Sequence, residues 1–272
     1  ECTVGRGTYE IGYNNESTTY AGLFANTAVV KKYGEGTLTL TNKQPIGFSV
    51  YGGTLFLNSE GSSEGTIQVY NGGCLSGNGT ANNVTVYEGG SIAAEKSEYL
   101  RGSMQINGQL IVNEGGCIHV RKQGNYIDYF EVEGDVTLKS PIIEMEYRRG
   151  EYKDGDSYEL FKTFKSIKLT GNVQMSPEKP GEGLEWDLAS FTTDGTIKVK
   201  ADATGIESAE AETMKVWPNP VEDECNVSAG QETNKNRTVV VQDLSGRILL
   251  TQKMADNICT LHLGEYPQGL YI

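Results

Sequence analysis

The chain has 272 residues, and its formal net charge is −13, from 36 acidic and 23 basic residues. This length allows one large or two modest domains. The negative charge argues against nucleic-acid binding, because a phosphate backbone would be repelled. Glycine is abundant, with 34 residues, but proline contributes only 7. This balance argues against collagen and proline-rich linkers, and it favours repeated turns between short strands.

No stretch approaches 18 consecutive apolar residues, so we expect no transmembrane segment. The tight basic clusters are pairs, which we interpret as parts of solvated edges: Lys31-Lys32, Arg121-Lys122 and Arg148-Arg149. The five cysteines match no metal-binding spacing: Cys2, Cys74, Cys117, Cys225 and Cys259. His119 and His262 are too few and too scattered for a zinc site, and we interpret both as strand residues. We therefore expect no metal and no cofactor.

A short phrase recurs through the first half of the chain. It consists of a valine, a residue that is usually tyrosine, a Gly-Gly pair and a new apolar residue two places later. The four copies are residues 50–55, 69–75, 86–92 and 112–118, and residues 30–40 form a looser copy. A repeat of roughly 20 residues that contains only strands and turns predicts a β-solenoid.

In such a solenoid the valines of the four copies should stack in one buried column: Val50, Val69, Val86 and Val112. Each Gly-Gly pair would lie at a corner where a side chain would collide with the layer above or below. Gly-Gly is also a good hairpin turn, so an antiparallel meander stays open as an alternative.

The glycine-rich segments 34–40 and 50–55 resemble the autotransporter-associated β-helix repeat. Segments 155–161, 180–187 and 195–199 resemble the region that closes such helices. Together these resemblances cover residues 28–200. They imply a right-handed parallel β-helix of the kind found in secreted passenger proteins.

Residues 130–200 lack the Gly-Gly phrase but alternate like strands, so we predict a cap there that closes a β-helix of residues 1–200. Trp186, Phe161 and Phe164 are the predicted covering groups. Residues 201–214 are small and acidic, which predicts a linker.

Residues 215–272 contain three separated motifs. Pro218-Asn219-Pro220 should end a first strand, because proline cannot donate to a ladder. Asp243-Leu244-Ser245-Gly246-Arg247 lies between two apolar runs and predicts a hairpin turn. With the final Pro267-Gln268-Gly269-Leu270-Tyr271, these short strands predict a small antiparallel β-sandwich.

The order of these motifs resembles the C-terminal sorting domain of the type IX secretion system. The resemblance implies an Ig-like fold, export across the outer membrane of a Bacteroidetes-type bacterium, and frequent removal of the domain. The residues that carry the signal motifs would be Pro218, Asn219, Pro220, Asp243, Gly246, Arg247, Gly269 and Tyr271.

Carboxylates at the corners are one candidate for chemistry. Glu88 and Glu114 occupy equivalent positions before Gly-Gly, and we expect Asn71 and Tyr51 in the same column. Such a pair could act in acid/base catalysis or hold Ca²⁺, but solvated corner residues are the preferred interpretation.

The cysteines carry two further expectations. Cys74 and Cys117 should lie two layers apart, about 9.6 Å, too far for a disulfide, and are predicted to be buried free thiols. Cys225 and Cys259 should both face the sandwich core, and a disulfide between them is an alternative to two free thiols in an oxidising compartment.

Two functional hypotheses follow. The first is a non-enzymatic, secreted or cell-surface passenger or adhesin, associated with the outer membrane, whose partner is the outer-membrane secretion machinery. The second is a glycan-binding or polysaccharide-degrading β-helix displayed by the same signal. In that case Tyr51, Tyr70 and Tyr87 would contact surface glycans or host ligands. The alternative for these tyrosines is an aromatic ladder that supports the fold.

Overall fold

A computed structural model describes residues 3–95, 101–163, 165–202, 214–229, 237–254 and 258–271. These residues belong to two compact units, Glu1–Asp202 and Ala203–Ile272. Nearly all regular structure is β. Within the described ranges the one helix is the single turn α1 (Phe191–Asp194), and no helix is long and apolar enough to cross a membrane.

The first unit consists of short strands throughout. Up to residue 93 they are β1 (Thr3–Val4), β2 (Gly7–Ile11), β3 (Thr18–Tyr20), β4 (Leu23–Phe24), β5 (Ala28–Lys32), β6 (Thr37–Leu40), β7 (Lys43–Gln44), β8 (Phe48–Val50), β9 (Gly53–Leu57), β10 (Ser62–Val69), β11 (Gly73–Gly77), β12 (Thr80–Val86) and β13 (Ser91–Ala93). From residue 103 they are β14 (Ser103–Ile106), β15 (Leu110–Val112), β16 (Cys117–Gln123), β17 (Tyr126–Ile127), β18 (Tyr129–Val132), β19 (Val136–Lys139), β20 (Ile142–Arg149), β21 (Ser157–Glu159), β22 (Phe161–Thr163), β23 (Ile167–Thr170), β24 (Gln174–Ser176), β25 (Leu184–Asp187) and β26 (Thr196–Ala201).

Two large sheets organise this unit. The first runs β2-β5-β8-β10-β12-β14-β18-β22, with β7, β15, β19 and β23 pairing beside this path. The second runs β24-β20-β16-β13-β11-β9-β6-β3, with β17 beside β16. Pairing along both paths is parallel, so each repeat of the sequence lies directly on the next. We call one repeat, with its strands in the two sheets, a layer.

The predicted valine column is confirmed. Val69 pairs with Val50 in the preceding layer and with Val86 in the following one. Val86 pairs in turn with Val112, and all four side chains are fully buried. The strands before and after each Gly-Gly pair belong to different sheets. The antiparallel meander is therefore wrong.

The Gly-Gly corners are glycine for two separate reasons. Gly72 has a φ of +82°, which side-chain-bearing residues rarely adopt. At Gly73 a Cβ would lie 2.4 Å from the carbonyl oxygen of Val50, in the layer before. One glycine thus turns the chain, and the other lets two layers approach.

Parallel stacking continues further along the chain than the sequence predicts. Strands β18, β19 and β20 pair in parallel with β14, β15 and β16. Strands β22, β23 and β24 add one more layer, which ends at Ser176. The antiparallel sheet β21-β26-β25 therefore begins well after residue 130, where the closing strands were expected.

The predicted covering groups have different surroundings. Phe161 is fully buried, and its ring centroid lies 6.0 Å from that of Phe130 and 5.9 Å from that of Phe191. Trp186 is half-buried, and its Nε1 donates a hydrogen bond to the carbonyl of Pro177 at 2.9 Å. Phe164 lies outside the described residues.

The second unit contains five short antiparallel strands in its described part: β27 (Met214–Trp217), β28 (Glu224–Ala229), β29 (Arg237–Gln242), β30 (Ile248–Met254) and β31 (Ile258–His262). They form the sheet β27-β28-β31 and the hairpin β29-β30. One buried cluster joins them: Cys225, Val227, Val241, Cys259 and Leu261. Most of the predicted linker, residues 203–213, lies outside the described residues; β26 ends at Ala201 and β27 begins at Met214.

We expect Gly73→Ala to destabilise the first unit by about 1–3 kcal/mol, because the new methyl group would press on the Val50 carbonyl. The matched control is Gly181→Ala, where a Cβ would meet only Leu184 Cδ1 at 3.5 Å. Thermal unfolding followed by circular dichroism measures both. Equal melting temperatures would contradict close stacking at the corner.

Candidate ligand-binding surface and sorting motifs

Five tyrosines form a continuous stack along one corner of the first unit, which we call the tyrosine ladder: Tyr13, Tyr33, Tyr51, Tyr70 and Tyr87. The centroids of neighbouring rings lie 4.5–5.1 Å apart, and their planes are within 10° of parallel. The parallel register produces this stack, because Tyr51, Tyr70 and Tyr87 each follow a member of the valine column. The structure thus brings together the three tyrosines that were predicted as glycan contacts.

Tyr13 and Tyr33 also belong to the ladder, although they were not predicted as members. A signal for Tyr33 is present in the sequence, since it precedes Gly34 as Tyr51 precedes Gly52. Tyr13 stands beyond the repeated phrase. The residue is 62 % exposed, and its ring stacks on Tyr33 alone among the described rings.

The ladder stops at Asn113. Pairing of Val86 with Val112 makes Asn113 the residue that follows Tyr87 in the column. Its Nδ2 donates to the carbonyl of Val86 at 3.2 Å, and its Oδ1 accepts from Lys139 Nζ at 3.1 Å. The amide is therefore held by the backbone and by the next layer. Among the described residues no ring stacks on the face of Tyr87 opposite Tyr70.

A depression of about 840 Å³ lies along this end of the ladder, and we call it the ladder groove. Aromatic, acidic, basic and amide side chains line it together, including Tyr70, Tyr87, Glu88, Asn113, Glu114 and Lys139. It extends from the layer of Tyr51 to the layer of Thr170. The groove is thus long and chemically mixed.

The corner carboxylates form a column beside the tyrosines. A Cβ at Gly115 would lie 3.0 Å from Glu88 Cγ, and one at Gly89 would lie 2.5 Å from Asn71 Oδ1. The prediction that Tyr51 shares this column is wrong, because Tyr51 stacks on Tyr70. Residues 50–55 lack the extra residue that the later copies carry before Gly-Gly. Glu88 and Glu114 are exposed.

Three residues of the basic pairs that were interpreted as solvated edges are buried, namely Lys32, Arg121 and Lys122, whereas Lys31 is half-buried and lies 3.2 Å from Glu10. Lys32 occupies the valine column, where it pairs with Ile11 and Val50. Its Nζ donates to the carbonyls of Tyr33, Gly34 and Gly52 at 2.7, 3.1 and 3.0 Å. Burial lowers the pKa of Lys32. Strand alternation was the signal, since Val30 and Lys32 share a face.

Arg121 and Lys122 are also buried, while Arg148 and Arg149 are exposed as expected. Arg121 Nε donates to Asp128 Oδ2 at 2.6 Å, which pairs the two buried charges. Lys122 Nζ donates to the Gly124 carbonyl at 2.5 Å and lies 4.9 Å from the Tyr152 ring centroid. The Asp128 carboxylate thus neutralises the charge of Arg121, and the Gly124 carbonyl accepts a hydrogen bond from the Lys122 ammonium.

Both histidines lie in strands. In β16, His119 Nε2 is 3.0 Å from Glu146 Oε2, and its Nδ1 is 3.4 Å from Glu144 Oε2. Exposed His262, in β31, lies 2.9 Å from Glu224. Within the described ranges no group of three or more histidine, cysteine, aspartate or glutamate side chains is arranged to hold a metal ion.

The cysteines of the first unit are two layers apart, because Ser91 pairs with both Cys74 and Cys117. Both thiols are free, and both residues are half-buried rather than buried as predicted. Desolvation, with Glu144 beside it, raises the pKa of Cys117 to about 11. Its thiol is therefore protonated at neutral pH and is a poor nucleophile.

In the second unit Cys225 and Cys259 are both buried, as predicted, and both are free thiols. Cys225 pairs with Leu261, and Cys259 pairs with Val227, so the two cysteines occupy diagonal positions on adjacent strands. Burial raises the pKa of Cys225, which keeps its thiol protonated.

The Asp243–Arg247 motif forms the predicted hairpin turn between β29 and β30. Asp243 Oδ1 accepts hydrogen bonds from the amides of Ser245 and Arg247, at 2.9 and 3.1 Å, and from Ser245 Oγ at 2.6 Å. Gly246 supplies the positive φ of +84°. Arg247 Nε lies 3.2 Å from Asp243 Oδ2. The aspartate thus holds the whole turn.

The other two motifs lie at strand ends. Strand β27 stops at Trp217, directly before Pro218-Asn219-Pro220, as expected for residues that cannot continue a ladder. Near the C-terminus, Tyr271 forms an antiparallel bridge with Asp243, and its hydroxyl donates to the Pro267 carbonyl. The bridge joins the second and third motifs; Gly269 lies beside the Tyr271 hydroxyl.

Asp243→Ala is expected to lower the unfolding temperature of the second unit at pH 7. Hydrogen bonds from Ser245 and the Arg247 amide hold the pKa of Asp243 below its ordinary value. The ionised group therefore stabilises the fold above that value, and the difference from wild type should shrink as the pH falls below about 3.9.

Scanning calorimetry at several pH values measures this difference. The control is Glu265→Ala, which removes one exposed carboxylate outside the Asp243–Arg247 motif. An Asp243→Ala curve that follows the control at every pH would refute the assigned role.

Comparison with known families identifies the second unit. Residues 215–272 match the family model described as secretion system C-terminal sorting domain. A search of curated proteins found no match to the chain. A type IX sorting domain marks proteins that are secreted and attached to the cell surface, which confirms the predicted localisation. The chain therefore ends in a sorting domain of the type IX secretion system, and the protein is exported to the cell surface.

Proposed function

We propose that this protein is a non-enzymatic surface passenger of a Bacteroidetes-type bacterium. Its first unit would be a right-handed parallel β-helix of the autotransporter-associated type, and an Ig-like sorting domain would export and anchor it. The single observation that carries the proposal is the match of residues 215–272 to the sorting domain. In the sequence this segment comes after a unit of stacked parallel strands.

The register supports a β-helix in the first unit. Two sheets share their layers, and every layer crosses from one sheet to the other at a Gly-Gly corner or a similar turn. A buried column of Val50, Val69, Val86 and Val112 continues to Leu138. Repeats that contact only their neighbours give an extended arm with large side surfaces, which suits a displayed adhesin.

The chemistry of the described side chains supports a non-enzymatic role. Glu88 and Glu114 are solvated corner carboxylates. The raised pKa of Cys117 keeps its thiol protonated and therefore unreactive. His119 is engaged by two carboxylates in an outward-facing position of β16. A catalytic constellation would instead bring a nucleophile, a base and an orienting group into one cleft.

A second candidate function is glycan binding by the displayed unit. The observation that favours it is the ladder groove, which combines aromatic rings with carboxylate, ammonium and amide groups. The lining groups suit binding, because the exposed carboxylates of Glu88 and Glu114 can accept hydrogen bonds from sugar hydroxyls, and Lys139 and Asn113 can exchange their mutual contact for a ligand.

Surface display tests the main proposal. In a bacterium with an active type IX system, we expect added proteinase K to digest the first unit on intact cells. A variant without residues 215–272 should stay protected inside the cell. The turn variant Asp243→Ala, compared with Glu265→Ala, tests whether the folded motif is needed. Protease accessibility that does not depend on residues 215–272 would contradict the proposal.

A second test concerns the proposed boundary between the passenger and the sorting domain. Limited proteolysis of the purified chain is expected to cut between residues 201 and 214 and to release two folded fragments. Mass spectrometry identifies the cut, and circular dichroism checks that each fragment is folded. Cuts scattered through the first 200 residues would count against a removable C-terminal domain.

A further inference from the structure

We infer that the ladder groove binds a neutral oligosaccharide, with the open face of Tyr87 as the platform for one sugar ring. The inference rests on the glycan-binding candidate and makes it specific. It assigns the contact to one tyrosine of the ladder and assigns the polar contacts to the corner residues beside it.

The stacking geometry separates Tyr87 from the other two predicted contacts. Tyr51 lies between Tyr33 and Tyr70, and Tyr70 lies between Tyr51 and Tyr87, with ring centroids 4.5–5.1 Å apart. Both faces of these inner rings are therefore covered. A sugar packs its C–H groups on the electron-rich face of an aromatic ring, so the inner rings offer only their edges.

No described ring covers the face of Tyr87 opposite Tyr70, and Tyr87 lines the ladder groove. Its column neighbour Asn113 is smaller, and the Asn113 amide is hydrogen-bonded to Val86 and Lys139. The Tyr87 hydroxyl accepts a hydrogen bond from Gln68 Nε2 at 3.2 Å, and Tyr70 supports the ring from behind at 4.8 Å. The ring is thus held in place before any ligand arrives, which lowers the entropy cost of binding.

Polar groups surround this open face. Glu88 and Glu114 come from adjacent layers, about 4.8 Å apart along the column, so they can accept hydrogen bonds from neighbouring sugar hydroxyls. Lys139 and Asn71 add an ammonium and an amide to the lining. Two carboxylates against one ammonium disfavour an acidic polysaccharide, and the hydroxyls of a neutral one can use all of these partners.

The shape of the groove indicates a chain rather than a single sugar. Its lining residues come from six successive layers, between those of Tyr51 and Thr170. At the spacing of stacked strands, this corresponds to a length of about 24 Å. An extended oligosaccharide can follow the column direction, with one ring on Tyr87 and the others on the polar layers that follow.

The full chain is titrated with four neutral hexasaccharides: cellohexaose, xylohexaose, mannohexaose and maltohexaose. A hexagalacturonate serves as the acidic probe. Isothermal titration calorimetry measures binding, and saturation-transfer NMR detects weak contacts. We expect at least one neutral hexasaccharide to bind. Tyr87→Ala should weaken that binding at least about fivefold.

Two further variants separate the platform from general effects on the fold. Asn113→Tyr would extend the tyrosine ladder, cover Tyr87 and move the uncovered terminal face one layer away from Glu88, so it should also weaken binding while Tyr87 is still present. Tyr33→Ala is the matched control, because its ring belongs to the same ladder but does not line the groove. It should leave binding within about twofold of wild type, which is below the change that the lost stacking at Tyr87 would cause.

The outcomes are distinct. No binding of any neutral hexasaccharide, or binding of the hexagalacturonate alone, would overturn the inference. Binding that persists in both Tyr87→Ala and Asn113→Tyr would place the site elsewhere and would also overturn it. Surface display is measured separately by protease accessibility, so a failed titration leaves the proposed passenger role intact.

Discussion

One repeated hydrogen bond governs the first unit. The residue after each buried valine donates its N–H to the carbonyl of the valine in the preceding layer: Tyr70 to Val50, Tyr87 to Val69 and Asn113 to Val86, at 2.8–2.9 Å. This bond sets the register between layers. A slip of one residue would turn every buried valine outward, so packing and hydrogen bonding specify the same alignment. The tyrosine ladder, the acidic column and the ladder groove all follow from it.

The same alignment explains how the structure accommodates an unsuitable residue. Lys32 occupies a position that later layers give to valine, and its ammonium would be costly there without partners. Three carbonyls of the adjacent corner accept its hydrogen bonds, two from its own layer and one from the next. Glycine lets adjacent layers approach closely at this corner, which brings the carbonyls within reach of the buried amine. The close packing of the corner therefore also satisfies the charge of Lys32.

The valine column and the Asp243 turn were predictable because each has a local sequence marker: the repeated Gly-Gly pair in the first case and Asp-Leu-Ser-Gly-Arg in the second. The later layers carry no such marker. Between Tyr129 and Ser176 the parallel pairs are held by backbone bonds and contacts such as Phe130 on Phe161, which sequence spacing does not reveal. The open face of Tyr87 could not be predicted either, since it depends on where the neighbouring Asn113 amide is hydrogen-bonded.

The tyrosine ladder also has an optical consequence. Five phenol rings held nearly parallel at van der Waals separation should couple their electronic transitions, and this coupling is lost when the spacing changes. The near-ultraviolet circular dichroism of the protein should therefore contain a tyrosine signal that depends on the alignment of its layers. The molecule carries its own spectroscopic reporter of stacking, and no label has to be introduced on the displayed surface.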